Sequence, residues 1–368
     1  MVCKSLSIGS KRNHFLSSAK YSNLFLKSTL IHPAHAGNDM ADLVTICIPT
    51  HNGEAWIREA IRSVLAQTYE TTEILVVDDA STDNTPHIVR AIQDRRIRLE
   101  INRRRLGLVR NWNKCLRLSR GKFIKPLFQD DIIYPRCVQQ MQRLIGRREN
   151  IGLVFAQRDT LVRNASGAWV TKPSRIANGF RQLRSINRGE PMLRRWLRDG
   201  YRENWVGEPS SVMLRRSCLA HAGLFNVKMW MCADFELWMR IMHLYDVGFI
   251  NKPLSAFRVH SESATIIGTN LNVHWLDGTW LIEGLLAAGL GETYPDLRRL
   301  RILELMHAAK YEIWRIRHRY GINPPSVVRS FVDYLLYRLV LLCGAHPDIH
   351  EMLKPRKSED ALRAAQLL

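Results

Sequence analysis

From Leu43 onward, apolar and polar positions fall into regular blocks. Leu43-Val44-Thr45-Ile46-Cys47-Ile48 is a near-continuous apolar run that predicts a buried strand, ended by the loop Pro49-Thr50-His51-Asn52-Gly53. Over Glu54 to Gln67, residues Ile57, Ala60, Ile61, Val64 and Leu65 recur at helical spacing. A second buried strand, Glu73-Ile74-Leu75-Val76-Val77, runs into Asp78-Asp79-Ala80-Ser81-Thr82-Asp83-Asn84-Thr85-Pro86. There Asn84 or Thr85 caps the next helix and Pro86 sits in its first turn, where a missing N–H is harmless. Ile97 to Ile101 alternates as a strand, Leu106 to Ser119 is helical, and Phe123 to Phe128 is a strand that delivers Asp130 and Asp131. Beyond Pro135 the spacing predicts a helix through Arg148, a strand over Gly152 to Ala156, and an irregular Arg- and Gly-rich stretch over 157–206. A short strand over Ser210 to Leu214, a helix over Phe235 to Leu244, a strand over Leu254 to Val259 and a mostly helical remainder after 270 complete the pattern.

Strands alternating with helices imply an α/β fold with a largely parallel sheet covered on both faces, and ligands bind such sheets beyond the carboxyl ends of the strands. Three polar clusters stand at three such ends: Pro49 to Asn52, Asp78 to Asp83, and Gln129 to Asp131. Adjacent carboxylates at a strand end form a corner suited to Mg2+ or Mn2+, ions that take one or two carboxylates and fill their remaining positions with water and phosphate oxygens. The competing reading of the pair is a solvated turn with Asp131 as a helix cap. An irregular stretch as long as 157–206 inside a compact domain is often functional, and it is assigned to acceptor binding.

Composition narrows the classes. The chain has 368 residues and a formal net charge of +20, which suits an anionic partner such as nucleotide phosphate, a lipid diphosphate or an acidic membrane surface, or else a solvated arginine-rich face. Nucleic acid is not the expected partner, for want of a zinc-finger spacing or an RRM-type aromatic motif. Seven scattered cysteines without a CxxC pair argue against zinc or redox chemistry and for reduced thiols, hence a cytoplasmic location. No apolar run approaches the roughly 20 residues that span a bilayer. Residues 1–39, with Asp39 as their single acid, read as a disordered basic tail or an upstream start preceding a folded part that begins near Met40, the competing reading being a transit peptide.

The ordered set Ile46-Cys47-Ile48-Pro49-Thr50-His51-Asn52, Ser63 to Thr68, Val76 to Asp83, Gly107 with Asn111-Trp112-Asn113, Gln129-Asp130-Asp131, Asp234 to Arg240, and Phe257-Arg258-Val259-His260 resembles the family 2 glycosyltransferases of the GT-A fold. The resemblance covers about 43–262 and implies a Rossmann-like mixed sheet flanked by helices. It divides the chain into the basic tail, a glycosyltransferase domain over 40–265 with a nucleotide half (about 43–131) and an acceptor half (about 132–265), and a helical region over 266–368. It also implies inverting, metal-dependent transfer from a nucleoside-diphosphate sugar, a UDP-sugar in the first instance, to an acceptor hydroxyl in polysaccharide or glycoconjugate synthesis. Pro49, His51, Asn52 and Asp79 would hold the nucleoside, with Asp79 accepting the base's ring N–H and His51, where the family more often has Tyr or Phe, stacking on the ring. Asp78 is expected to be structural. Asp131 would be the direct metal ligand, Asp130 would hold the ribose or a metal-bound water, and His260 would touch metal or phosphate or else be a surface residue.

Asp234 would be the general base, with Ala233 where the family often has an acid, a change that leaves its carboxylate less raised in pKa. Arg103, in the run Arg103-Arg104-Arg105, would clamp phosphate, and Glu208, in Gly207-Glu208-Pro209-Ser210, would contact acceptor. Arg240 is expected to pair with Glu236, and Trp238 to pack. The acceptor stays open between glycan, lipid-linked and protein hydroxyls. Apolar stripes after 270, such as Val327, Phe331, Tyr334, Leu335 and Leu339, suit core packing, peripheral membrane contact at the inner membrane face, or self-association. A glycosidase needs no strand-end nucleotide loops, and a dinucleotide enzyme would carry GxGxxG after the first strand. The rival from another class is a non-catalytic anion- or membrane-binding protein that keeps the fold.

Overall fold

The computed structural model describes residues 43–301 and 304, apart from 175, 177–179, 181, 200–202 and 267–273. The basic tail and the expected stripe from Val327 to Leu339 lie outside the described residues. The first elements are β1 (Val44–Thr50), α1 (Ile57–Leu65), β2 (Thr72–Asp78), α2 (Thr85–Arg90), β3 (Ile97–Ile101), α3 (Leu108–Leu118) and β4 (Phe123–Pro126). They are followed by β5 (Ile132–Ile133), α4 (Cys137–Ile145), β6 (Ile151–Arg163), β7 (Trp169–Ser174), β8 (Ile186–Asn187) and α5 (Gly189–Arg198). The remainder comprises β9 (Val212–Arg215), α6 (Leu219–Ala222), α7 (Ala233–Leu244), β10 (Asp246–Arg258) and α8 (His274–Ala287).

The strands form one mixed sheet in the order β3-β2-β1-β4-β9-β6-β10-β5, with β7 beside β6 and β8 beside β10. β3, β2, β1 and β4 are mutually parallel, whereas β9 runs antiparallel between β4 and β6. This register sets Thr50 opposite Asp78 and brings the carboxyl ends of β1, β2 and β4 to one edge. Because β9 runs the other way, the turn that enters it, Pro209–Ser211, lies at that same edge.

All seven residues of β1 and of β2 are buried, as required of strands covered on both faces. Their side chains alternate between two cores. Ile46, Ile48, Ile74 and Val76 meet α1 and α4 through Ile57, Ile61, Val138 and Met141. Cys47, Leu75 and Val77 join the opposite core with Trp112 of α3, Trp196 of α5, Trp238 of α7 and Leu281 of α8. The helix after 270 is therefore part of the main core.

Two sequence expectations change here. The stretch 157–206 is not irregular throughout: β6 continues to Arg163, turns into β7 and is followed by β8 and α5. The polar run Gln157-Arg158-Asp159-Thr160 carries no apolar signal, and its strand is imposed by pairing with β10 on one side and β7 on the other. β10 likewise begins at Asp246 rather than Leu254, its apolar pattern interrupted at register shifts around Pro253.

Candidate active site

The first two strand-end loops are braced to each other and to the third. Asn52, at φ +47°, donates its backbone N–H to Ser81 Oγ at 2.9 Å and accepts from the Thr82 N–H at 2.9 Å. Gln129 Oε1 accepts the Thr50 hydroxyl at 2.6 Å and the His51 N–H at 2.9 Å. His51 Nδ1 lies 2.9 Å from the Asp79 carbonyl oxygen. A chain of contacts thus runs from Asp79 through His51 and Gln129 to the neighbour of Gln129, Asp130. Asp78 is wholly buried, accepting the N–H and hydroxyl of Ser81 at 2.9 and 2.6 Å, which is the structural role expected of it.

Asp79 is 2% exposed and turns its carboxylate onto the loop before α3. Oδ1 accepts from Asn102 Nδ2 and the Leu106 N–H, both at 2.7 Å, and Oδ2 from the Gly107 N–H at 2.8 Å. Gly107, at φ +87°, has the backbone geometry that lets two successive N–H groups converge on one carboxylate. Three acceptor positions are thereby filled, and Asp79 shapes the Arg103–Gly107 loop. Within that loop Arg103 is exposed, while Arg105 is half-buried and its charge faces Asp79.

At the third strand end the two adjacent carboxylates differ in burial, Asp131, the expected metal ligand, being the enclosed one. Asp131 is wholly buried, with Oδ2 accepting the Ser210 hydroxyl at 2.5 Å and Oδ1 the Arg258 N–H at 3.0 Å. Burial, reinforced by the neighbouring Asp130 charge, pushes its pKa well above the usual carboxylate range. Asp130 keeps 17% side-chain exposure, with Oδ2 2.9 Å from His260 Nε2. The pair that faces outward is therefore Asp130 and His260, and Asp131 organises the turn from beneath. Its partner Ser210 lies 79 residues away, which is why adjacency alone could not assign the faces.

Sequence reasoning gave no role to the residue that holds this corner. Arg258, 2% exposed, donates to the Asp130 carbonyl at 2.8 Å and to Glu59 at 2.7 Å. Its guanidinium lies 4.8 Å from the ring centres of both Trp56 and Trp169, and Trp56 in turn packs on His260 at 4.9 Å. The signal was present in Phe257-Arg258-Val259-His260. Beneath the same turn Lys125 is wholly buried and donates to the carbonyls of Pro126 and Ser210, its pKa lowered by burial against the pull of Asp131.

Asp234 opens α7, 6% exposed, with Oδ1 accepting the Phe235 N–H at 2.9 Å and Oδ2 accepting from Asn204 Nδ2 at 3.0 Å. Burial holds its pKa well above the ordinary carboxylate value; those hydrogen bonds oppose the rise and the nearby Glu208 charge adds to it. The Glu208 charge also reaches Asp131, which ties the Asp234 and Asp131 regions together. Glu208 itself is clamped by Arg158 through two bonds of 2.5 and 2.6 Å. Asn204, which no sequence pattern announced, also accepts from the N–H groups of Val206 and of Gly207, whose φ is +93°. Trp238 is buried and donates its indole N–H to the Gly207 carbonyl, and Arg240 pairs with Glu236 at 2.6 Å. An apolar pocket behind the edge is lined by Cys47, Pro49, Trp112, Phe128, Pro209 and Phe225 among others.

No three His, Cys, Asp or Glu side chains among the described residues converge as a ready-made metal cage. Asp130 and His260 offer one hard oxygen and one nitrogen side by side, a donor set that fits a divalent ion completed by phosphate and water. No helix among the described residues is long and apolar enough to cross a membrane.

Comparison with known proteins agrees with this architecture. The family model described as Glycosyl transferase family 2 matches residues 45–202. An uncharacterized protein of Mycobacterium tuberculosis is 35% identical over 251 residues, covering 67% of this chain and 77% of that protein. The Escherichia coli UDP-Glc:alpha-D-GlcNAc-diphosphoundecaprenol beta-1,3-glucosyltransferase WfgD is 34% identical over 134 residues, 36% of this chain and 53% of its own length. Among solved structures, Staphylococcus aureus TarS 1-349 in complex with UDP superposes with a TM-score of 0.50 at 16% identity, covering 75% of this chain and 71% of that one, a likeness of fold. The mixed sheet with its crowded carboxyl edge and the family match over residues 45–202 lead to one assignment: the chain belongs to the family 2 glycosyltransferases and has their GT-A fold.

Proposed function

We propose that the chain transfers a sugar, with inversion, from a UDP-sugar to an acceptor hydroxyl, using a divalent cation, in the assembly of a polysaccharide or glycoconjugate. The observation that carries the reading is the pairing, along one sheet edge, of an outward-facing Asp130–His260 couple with a buried carboxylate of raised pKa at Asp234. The UDP-sugar named for WfgD supports the choice of donor.

In this reading the loop from Pro49 to Asn52 and the Asp79-shaped loop from Arg103 to Gly107 frame the nucleoside, with Arg103 free to reach phosphate. Asp130 and His260 hold Mg2+ or Mn2+, while Asp131 and Arg258 fix the backbone that presents them. The ion's chemistry is neutralisation of the departing diphosphate. Asp234 takes the proton of the acceptor hydroxyl as its oxygen bonds to the anomeric carbon and the bond from that carbon to the diphosphate oxygen breaks, releasing UDP. A base of this kind must be unprotonated, and burial poises Asp234 to change state closer to neutrality than an ordinary carboxylate. Glu208, neutralised by Arg158, borders the acceptor side.

The test is a panel of nucleotide sugars, including UDP-glucose and UDP-N-acetylglucosamine, with Mg2+ or Mn2+ and with EDTA, read by released nucleotide and by the melting temperature. Metal-dependent stabilisation by UDP together with metal-dependent sugar release supports the proposal. Failure of every nucleotide to raise the melting temperature in the presence of metal would defeat it.

A further inference from the structure

Asp277 is a carboxylate of α8, 3% exposed and 43 positions beyond Asp234 in sequence, that no motif singled out. Its Oδ2 accepts three consecutive backbone N–H groups: Trp230 at 2.9 Å, Met231 in a very short contact, and Cys232 at 2.9 Å. Those residues form the approach to α7, and Cys232 stands two positions before Asp234. Of these donors only Cys232, at the helix cap, is one that a helix start leaves without an intrahelical partner, a group normally met by a local cap. Here Cys232 supplies no side-chain cap, and the acceptor arrives from another helix. α8 is seated closely at this point. Lys228 Nζ lies 4.6 Å from the Trp280 ring centre, and a Cβ added at Gly284 would stand 3.3 Å from Glu236 Oε1.

We infer that Asp277 is a positioning residue for the transfer reaction: by gathering the N–H groups of residues 230–232 it fixes the first turn of α7 and with it the direction of the Asp234 carboxylate. The inference rests on the reading of Asp234 as the base. It also gives the helical region after 266 a share in the site, because among the described residues this clamp reaches the loop before α7. The geometry demands an acceptor oxygen at this place, and the short side chain of Asp reaches it where Ala offers none.

The experiment compares Asp277→Ala and Asp277→Asn in the full chain with wild type. Hydrogen exchange over residues 228–236 is measured without substrate, and turnover with UDP-glucose or UDP-N-acetylglucosamine and Mn2+. In Asp277→Ala the amides of residues 230–232 should exchange about 10- to 100-fold faster, and kcat should fall about tenfold or more with donor KM unchanged, since misdirection of the base acts on the chemical step. Asp277→Asn keeps one oxygen, should recover much of both losses, and serves if the alanine variant does not fold. Unchanged exchange overturns the inference, as does faster exchange with wild-type kcat, or a loss shared equally between kcat and donor KM. An active Asp234→Asn enzyme would remove Asp234 as base while leaving the exchange result intact, so the two failures are distinct.

Discussion

Replacing Asp234 with Asn removes the proton acceptor and almost nothing else, which makes it the sharpest perturbation of the proposed chemistry. The side chain is 6% exposed and both of its oxygens accept, one from the Phe235 N–H and one from Asn204. An amide must place its NH2 against one of those donors in either orientation, a local cost of about 1–3 kcal/mol that is offset by no longer burying an ionised group. A positioned base contributes roughly 100- to 10,000-fold, or about 2.7–5.4 kcal/mol of transition-state stabilisation. The variant should lose that much kcat in a nucleotide-release assay while its melting temperature still responds to UDP and metal. A variant within about threefold of wild-type kcat would refute the assignment.

The same residue fixes the sign of two pH effects. Because its folded pKa is raised by burial, the unprotonated form that serves as base appears only at pH values above the ordinary carboxylate range of about 4. The acid limb of the rate profile should therefore lie above that range. Stability moves in the opposite sense: the ionised form is disfavoured in the fold, so Asp234 costs wild type stability as pH rises from the unfolded value through the folded one, a contribution that Asp234→Asn removes. The melting temperature of the variant relative to wild type should rise across that window. A flat or falling difference contradicts the raised pKa.

His260→Ala should raise the metal concentration for half-maximal activity by about tenfold or more and recover substantially at saturating metal; a superimposable metal titration would count against the Asp130–His260 couple. Asp79→Asn sets an amide donor against one of the N–H groups it now serves, at a cost of about 1–3 kcal/mol, and should weaken UDP binding roughly 10- to 100-fold with kcat little changed; unaltered UDP affinity contradicts the loop-shaping role. Arg258→Met removes two hydrogen bonds and the stacking on Trp56 and Trp169, about 2–4 kcal/mol together, which should lower the melting temperature by roughly 5–15 °C; an unchanged melt would mean the corner holds without it.

The strands that carry the strand-end loops were legible because both faces of the sheet are covered, so Val44 to Ile48 and Ile74 to Val77 read as unbroken apolar runs. Asp78, Asp79 and the Asp130–Asp131 pair stand at strand ends, Asp234 at a helix start and His260 just beyond a strand, the places the sequence pattern gave them. Their division of labour was hidden. Whether Asp130 or Asp131 faces outward depends on Ser210 and Arg258, which arrive from 79 and 127 residues away. α5 was overlooked although Met192, Leu193, Trp196 and Leu197 recur at helical spacing, since Gly189 and Pro191 at its start and its arginines suggest a loop. Asn204 and Asp277 act through backbone N–H groups or a distant carboxylate, and such partnerships leave no local pattern.

The carboxylates at the sheet edge are largely answered by partners within the protein. Glu208 is held in two bonds by Arg158, Asp78 by Ser81, and Asp79 by the loop before α3. Asp131 is met by Ser210 and the Arg258 N–H, with the Lys125 cation beneath. A buried carboxylate without such partners would be costly, so their completeness explains how several acids can stand close together. Asp130 is partnered by an imidazole that is also a metal ligand by type, and Asp234 accepts from the Phe235 N–H and from Asn204 while burial holds its pKa above the ordinary carboxylate value. In the proposed reading Asp130 is the place for one cation and Asp234 the place for one proton transfer. That is the demand of sugar transfer from a diphosphate: a leaving group to be neutralised and a hydroxyl to be deprotonated, at separate points along one edge.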